Sequence, residues 1–119
     1  LLELYHHDWQ KLKTDIVGTS ITDSETRQAI RDVYQHHHYI LDPHGAVGYL
    51  ALERYLAKSS VAQGLFLETA HPAKFLDIVE EEIGSVVEIP KRLKDCLHQE
   101  KKSIPRANSF DAFKTLLLS

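Results

Sequence analysis

The sequence predicts an α/β protein that is mostly helical, with one or two parallel strands flanked by about five helices. Three observations lead to this prediction. Apolar residues recur every three to four positions in several segments, which is typical of amphipathic helices. The apolar run Leu65–Leu67 lacks polar alternation, as expected for a central parallel strand buried on both faces. Pro72 follows it closely, and proline suits the first turn of a helix.

Three helices are predicted before that strand. The first spans Leu1 to Lys13 and stops before Gly18. The second begins after Thr22, which precedes Glu25 by the spacing of a capping box, where each side chain bonds a backbone amide of the other. Ala29, Ile30, Val33 and Tyr34 would form its apolar face.

The third helix is predicted from about Gly45 to Lys58, and its start is unusually small-sided. Gly45, Ala46 and Gly48 supply this feature. Small residues allow either a ligand or a neighbouring strand of the protein to approach closely. The sequence leaves both interpretations open.

A fourth helix is predicted from Pro72 until Gly84, because glycine tolerates the left-handed conformation that ends helices. Val86–Ile89 could form a short edge strand or an extended loop, with a weak helix after it. A last helix would be capped by Asn108 or Ser109.

Length and composition exclude several classes of protein. With 119 residues the chain fits one compact domain. A net charge of -3, from 14 basic and 17 acidic residues, provides no basic patch for nucleic acid. Cys96 is the single cysteine, so no internal disulfide forms and a reducing compartment is favoured. No apolar stretch has the length of a membrane span. We therefore expect a cytoplasmic protein.

The predicted sheet is too small to be complete, since three or more strands are normally needed. The chain also begins with Leu1 rather than methionine. Both observations favour a fragment of a larger α/β enzyme, with its remaining strands elsewhere. An exposed sheet edge would then allow the fragment to self-associate.

Three motifs point to a known family. DPHGAVGYLAL (Asp42–Leu52), GLFLETAHPAKF (Gly64–Phe75) and VVEIP (Val86–Pro90) closely resemble the carboxy-terminal part of threonine synthase, and the similarity extends over essentially the whole chain. The resemblance implies a pyridoxal 5'-phosphate enzyme of the fold type II, or tryptophan synthase β-like, class. Such enzymes convert O-phospho-L-homoserine and water into L-threonine and phosphate.

The same resemblance implies site residues. In this family a serine or threonine hydroxyl faces the pyridine nitrogen of the cofactor, and Thr69 stands at that position. Ala70 and His71 are further candidates for the cofactor pocket, with His71 expected to shape the turn rather than transfer protons. Glu68 is a weak candidate for contact with the ring nitrogen, because side chains alternate along a strand and Glu68 should point away from Thr69.

Two parts of the family's machinery are not recognisable in this sequence. None of the lysines has the serine-phenylalanine-lysine-aspartate type context of the Schiff-base lysine. The five glycines are too dispersed for a phosphate-binding turn. No catalytic residue is therefore assigned here, and we expect the chain alone to be inactive.

The sequence also raises two other functions. Eight histidines suggest a metal site, but the consecutive His36, His37 and His38 would diverge over about 200° of a helix surface and could not share one ion. We therefore expect no metal site. The other alternative is a threonine-synthase-like helical module that binds a partner without catalysis.

Overall fold

A computed structural model of the chain describes residues 1–60 and 63–118. Within them the structure is mostly helical, as predicted, with six α-helices and one short 3₁₀-helix. The helices are α1 Trp9–Asp15, α2 Asp23–His37, α3 Pro43–Leu56, α4 Leu76–Ile83, α5 Lys91–Leu97 and α6 Phe110–Leu118, and the 3₁₀-helix is Pro72–Lys74.

The chain divides into two compact units, whereas its length led us to expect one. The first unit is Leu1–Glu88 and contains α1 to α4, and the second is Ile89–Ser119 and contains α5 and α6. All the motif residues considered below for binding lie in the first unit.

The start of α2 is fixed by the capping box that the sequence predicts. The Thr22 amide donates to Glu25 Oε2 at 2.8 Å, and the Glu25 amide donates to Thr22 Oγ1 at 3.3 Å. Arg54 of α3 pairs with the same glutamate. Hydrogen bonds from the Thr22 amide and hydroxyl, and then from Arg54, lower the pKa of Glu25 to about 2. One carboxylate thus begins α2 and joins it to α3.

The core of the first unit lies where α2 packs against α3 and α4. Ala29, Ile30 and Val33 of the predicted α2 face are buried there, together with Ala46 of α3 and Val79 of α4.

Ion pairs at the edge of this core connect α2 to α4. Arg27 lies 2.9 Å from Glu81 and 2.8 Å from Glu82, and Arg31 lies 3.2 Å from Glu82. These ion pairs add polar contacts between the two helices beside the buried apolar side chains.

The predicted start of the first helix is wrong. Residues 2–7 form turns, and α1 begins at Trp9. His6 and His7 have left-handed φ angles of 52° and 59°, which interrupt a right-handed helix. Asp8 instead caps α1 by accepting the Gln10 amide at 2.9 Å. The apolar spacing therefore extended into a segment whose backbone is not helical.

Two other boundaries differ from the predictions. α3 begins at Pro43, earlier than expected, because Asp42 caps it. The helix predicted to begin at Pro72 is a 3₁₀-turn, and α4 proper starts at Leu76 after Phe75 leaves the helical region with φ of -132°. The predicted stop is confirmed, since Gly84 adopts a left-handed φ of 66°.

No strand occurs in residues 1–60 or 63–118, so the predicted parallel strand at Leu65–Leu67 remains a prediction. The segment is extended but is not buried on both faces in this chain, because Leu65 is 81% exposed and Leu67 is 72% exposed. Val86–Ile89 is the extended loop and not the edge strand, and its Val87 amide donates to Glu80 Oε1 at 2.9 Å.

In residues 1–60 and 63–118, every helix is too short or too polar to span a lipid bilayer.

Candidate functional site

The central feature of the candidate site is the extended segment 65–69, which lies along the amino-terminal half of α3. Its side chains alternate between two directions, as in a strand. Phe66 packs edge-on against Tyr49 of α3, with ring centroids 5.8 Å apart, and Glu68 bonds to the residue that caps α3. Leu65, Leu67 and Thr69 are instead exposed. One face of the segment therefore packs on α3, and the opposite face, which includes Thr69, is exposed.

Thr69 has the exposed position expected of a residue that binds something outside this chain. Its side chain makes no hydrogen bond to any residue in 1–60 or 63–118. Ala70 beside it is half-buried. The exposed hydroxyl is therefore free to bond with a group supplied from elsewhere, and its role as a cofactor ligand remains a prediction.

His71 caps the 3₁₀-turn that follows Thr69. Its Nδ1 accepts the backbone N–H of Ala73 at 3.1 Å. An accepting Nδ1 carries no proton, so the neutral ring holds its proton at Nε2. This contact supplies the turn-shaping role expected of His71, since it directs the chain into the helix within two residues of Thr69.

A pair of carboxyl groups joins the extended segment to the start of α3. Glu68 Oε1 accepts the backbone N–H of Asp42 at 2.7 Å. Asp42 is fully buried, and its Oδ1 accepts the backbone N–H of His44 at 2.7 Å. Asp42 Oδ2 and Glu68 Oε2 are also buried, and neither has a hydrogen-bond partner among the described residues. We call Asp42 and Glu68 the carboxyl pair.

The pKa values of the carboxyl pair shift in opposite directions. Burial, followed by the neighbouring Asp42 carboxyl, raises the pKa of Glu68 to about 7 despite the opposing bond from the Asp42 N–H. Burial also acts to raise the pKa of Asp42, but the neighbouring Glu68 carboxyl and the backbone N–H groups of His44 and Gly45 outweigh it and lower that pKa. One member of the pair is therefore protonated at mildly acidic pH.

The small residues of α3 serve the packing of this segment. A Cβ placed on Gly45 would lie 2.5 Å from Glu68 Cδ, far closer than real contacts. A Cβ on Gly48 would lie 3.8 Å from Phe66 Cβ, which is ordinary contact. The group that approaches Gly45 closely is therefore the side chain of Glu68. This contact favours the packing interpretation over a ligand at this position.

Sequence reasoning missed the carboxyl pair, although it placed Glu68 on the correct side of the segment. Two signals were available in the sequence. Asp42 precedes Pro43, as expected of a helix cap, and Gly45 follows one turn later, where its missing side chain leaves space for a carboxyl. Nothing in the spacing of 26 residues indicated that Glu68 would occupy that space.

The histidines do not assemble a metal site in the described part of the chain, which contains no group of three or more His, Cys, Asp or Glu side chains able to hold an ion. His36 Nδ1 lies 2.7 Å from the Asp32 carbonyl oxygen. His38 ends α2 in the left-handed conformation. The run therefore forms the end of a helix.

A groove of about 340 Å³ lies between α2 and α3. Its polar lining includes Glu25, Asp32, Tyr49, Glu53 and Arg54. It contains none of the three predicted cofactor-binding residues. We therefore regard segment 65–71, and not this groove, as the candidate site.

Comparison with known proteins identifies the family. The family model described as "Threonine synthase, C-terminal" matches residues 45–117. The chain belongs to the threonine synthase family. It is 38% identical over 96 residues to threonine synthase from Saccharomyces cerevisiae, and 38% identical over 91 residues to that from Escherichia coli. Each alignment covers 76% of this chain.

Solved threonine synthase structures also share the fold. The Escherichia coli crystal structure matches 84% of this chain with a TM-score of 0.67 and 34% identity. The yeast crystal structure matches 97% of this chain with a TM-score of 0.58 and 29% identity. The chain spans only 18% and 20% of the length of the yeast and Escherichia coli relatives. These matches confirm the resemblance to the carboxy-terminal part of threonine synthase.

Proposed function

We propose that this chain forms the carboxy-terminal part of a cytoplasmic, pyridoxal 5'-phosphate-dependent threonine synthase, a lyase of threonine biosynthesis. Such an enzyme converts O-phospho-L-homoserine and water into L-threonine and phosphate. The observation that supports this proposal, beside family membership, is the position of Thr69. The residue stands at the end of an extended segment, on the face directed away from the helices of its own unit, with an exposed hydroxyl.

The residues present fit one edge of the cofactor. The neutral hydroxyl of Thr69 has no hydrogen-bond partner in residues 1–60 or 63–118, and it is suited to a hydrogen bond with a pyridine nitrogen. Ala70 and His71 would form the adjoining wall. When bound, pyridoxal phosphate supplies an electron sink for negative charge on substrate carbon atoms. Thr69 would hold the ring nitrogen without placing a full negative charge beside it, which moderates that sink.

Other parts of the active site would come from sequence outside this chain. The lysines here lack the family's Schiff-base context, and the glycines are too dispersed in the sequence for a phosphate-binding turn. The substrate O-phospho-L-homoserine would therefore meet residues of both regions. In this proposal the chain orients the cofactor, and the remaining polypeptide binds it covalently.

A chimeric enzyme tests this function. We would replace the matching carboxy-terminal region of Escherichia coli threonine synthase with this chain and measure phosphate release from O-phosphohomoserine. The chimera is expected to turn over substrate, whereas the truncated enzyme and the 119-residue chain alone should be inactive. Threonine formation by the isolated chain would contradict the proposal. A folded, cofactor-loaded chimera without turnover would also contradict it and would favour the non-catalytic binding module.

We further expect the isolated chain to self-associate through the exposed face of segment 65–69. Leu65 and Leu67 are largely exposed there, and no backbone hydrogen bond pairs this segment with the described residues. Unpaired extended backbone with apolar side chains is a template for strand pairing. Light scattering should show dimers or larger species, which Leu67→Lys should reduce and Val17→Lys, on another exposed segment, should not. A strictly monomeric chain at high concentration would contradict this expectation.

A further inference from the structure

We propose that Asp42 and Glu68 share a single proton, and that this bond holds segment 66–68 on the start of α3 and thereby orients the Thr69 hydroxyl. Glu68 would act as a positioning residue for Thr69, without touching cofactor or substrate. The role of Thr69 rests on the proposed function. The shared proton does not, because it follows from the contacts of the pair.

The backbone contacts of the pair leave one oxygen of each carboxyl unused. Each carboxyl uses one oxygen for a backbone amide, 2.7 Å from the Asp42 nitrogen in one case and 2.7 Å from the His44 nitrogen in the other. The second oxygen of each is buried and has no partner within the described part of the chain. Buried polar atoms are rarely left unpaired, because an unpaired atom has lost its hydrogen bonds to water and gained none in return. A proton on one carboxyl that points to the other satisfies both atoms.

The surroundings favour one negative charge but not two. Asp42 caps α3, where the backbone dipoles of the helix stabilise an anion. His44 is the titratable side chain from α3 that faces the pair, with Nδ1 3.0 Å from Asp42 Oδ1. Among the described residues no lysine or arginine pairs with either carboxyl. Asp42 therefore keeps the charge and Glu68 keeps the proton, in agreement with the raised pKa of Glu68 and the lowered pKa of Asp42.

Thr69 is coupled to this pair through the backbone. The carboxyl of Glu68 accepts the backbone N–H of Asp42 and packs closely against Gly45. Because successive side chains of an extended segment point in opposite directions, holding Glu68 on α3 directs Thr69 away from it. Loss of the proton would place two adjacent negative charges in a buried site. We expect Glu68 then to withdraw, freeing the Asp42 amide and changing the environment of Thr69.

The pH dependence follows from the direction of the shift. Glu68 has a higher pKa in the folded chain, about 7, than its ordinary value of 4.5. The folded state therefore binds this proton more tightly, and the stabilisation that it gives is complete below about pH 4.5 and is lost as the pH rises through 7.

Carbon-13 NMR of the 119-residue chain tests the proposal directly. The Glu68 carboxyl carbon is expected to titrate with a midpoint near pH 7, and the Thr69 methyl resonance should shift with the same midpoint. Hydrogen exchange of the Asp42 amide, corrected for its intrinsic rate, should accelerate over that range. A Glu68 midpoint at its ordinary value, or a Thr69 resonance that does not follow Glu68, would overturn the proposal.

Two variants separate the pair from other titrating groups. Glu68→Gln retains a donor and an acceptor but cannot ionise, so Thr69 should keep its low-pH resonance up to about pH 8.5. Glu80→Gln is the matched control, because Glu80 also accepts a backbone amide, that of Val87 at 2.9 Å. It should leave the Thr69 titration unchanged. If Thr69 still titrates in Glu68→Gln, its resonance does not report on the ionisation of Glu68 and the proposal fails.

This experiment is independent of the test of the proposed function, because it uses neither cofactor nor substrate. An ordinary Glu68 pKa would overturn the shared proton and leave the threonine synthase proposal intact. An inactive chimera would contradict the synthase function and leave the shared proton unaffected.

Discussion

Replacing Thr69 with aspartate in the chimeric enzyme is expected to lower kcat/KM by about tenfold to a thousandfold, whereas Thr69→Ser should remain within about threefold of the parent. Serine preserves the neutral hydroxyl that we assign to the pyridine nitrogen. An aspartate would introduce a negative charge, which typically raises the pKa of an adjacent basic group by about 1–3 units. Each unit corresponds to about 1.4 kcal/mol, or a factor of ten. The altered ring would withdraw electrons more strongly than this chemistry requires.

The measurement should include an observation that does not depend on turnover. The visible absorbance of the bound cofactor, recorded against pH, should change in Thr69→Asp and be retained in Thr69→Ser. Ser24→Asp, in the exposed first turn of α2, is a matched control for added charge, and its rate should equal that of the parent. Equal activity and equal absorbance of the two Thr69 variants would refute the assignment of Thr69.

The features that sequence predicted well are those determined by neighbouring residues. The capping box at Thr22 and Glu25 involves residues three positions apart, and both of its bonds are present. Gly84 ends α4 in the left-handed conformation for a reason that lies in its own missing side chain. The buried face of α2 followed from helical periodicity alone. Local chemistry was sufficient in each of these cases.

Two features of the structure depend on more than the apolar pattern. Apolar spacing gave no sign that His6 and His7 would adopt left-handed φ angles. The burial predicted for Leu65 and Leu67 requires neighbouring strands, which the described residues do not contain.

The candidate site also combines features that the sequence indicates with a contact that only the fold reveals. The family motif points to Thr69, whose role as a cofactor ligand remains a prediction, whereas side-chain alternation correctly predicted that Glu68 points the other way. The partner of Glu68 lies 26 residues away and became apparent only from the fold.

Replacing Gly45 with alanine is expected to destabilise the chain by about 1–2 kcal/mol. The added Cβ would collide with the carboxyl of Glu68, which is the end of a flexible side chain and can move aside. Moving it breaks the bond to the Asp42 amide and leaves buried polar atoms unpaired, at about 1–3 kcal/mol. Alanine returns about 0.5–1 kcal/mol, because glycine is unfavourable within helices. Urea unfolding below pH 6 would measure the net loss.

Gly48→Ala is the matched control in the same helix. Its Cβ would meet Phe66 at an ordinary 3.8 Å, so it should stabilise the chain by about 0.5–1 kcal/mol. The decisive comparison is a double-mutant cycle. In Glu68→Ala, which removes the obstructing carboxyl, Gly45→Ala should cease to destabilise and should behave like Gly48→Ala. If Gly45→Ala instead destabilises equally with and without the glutamate, Gly45 is required for a contact other than Glu68, and the packing of the carboxyl pair would need another explanation.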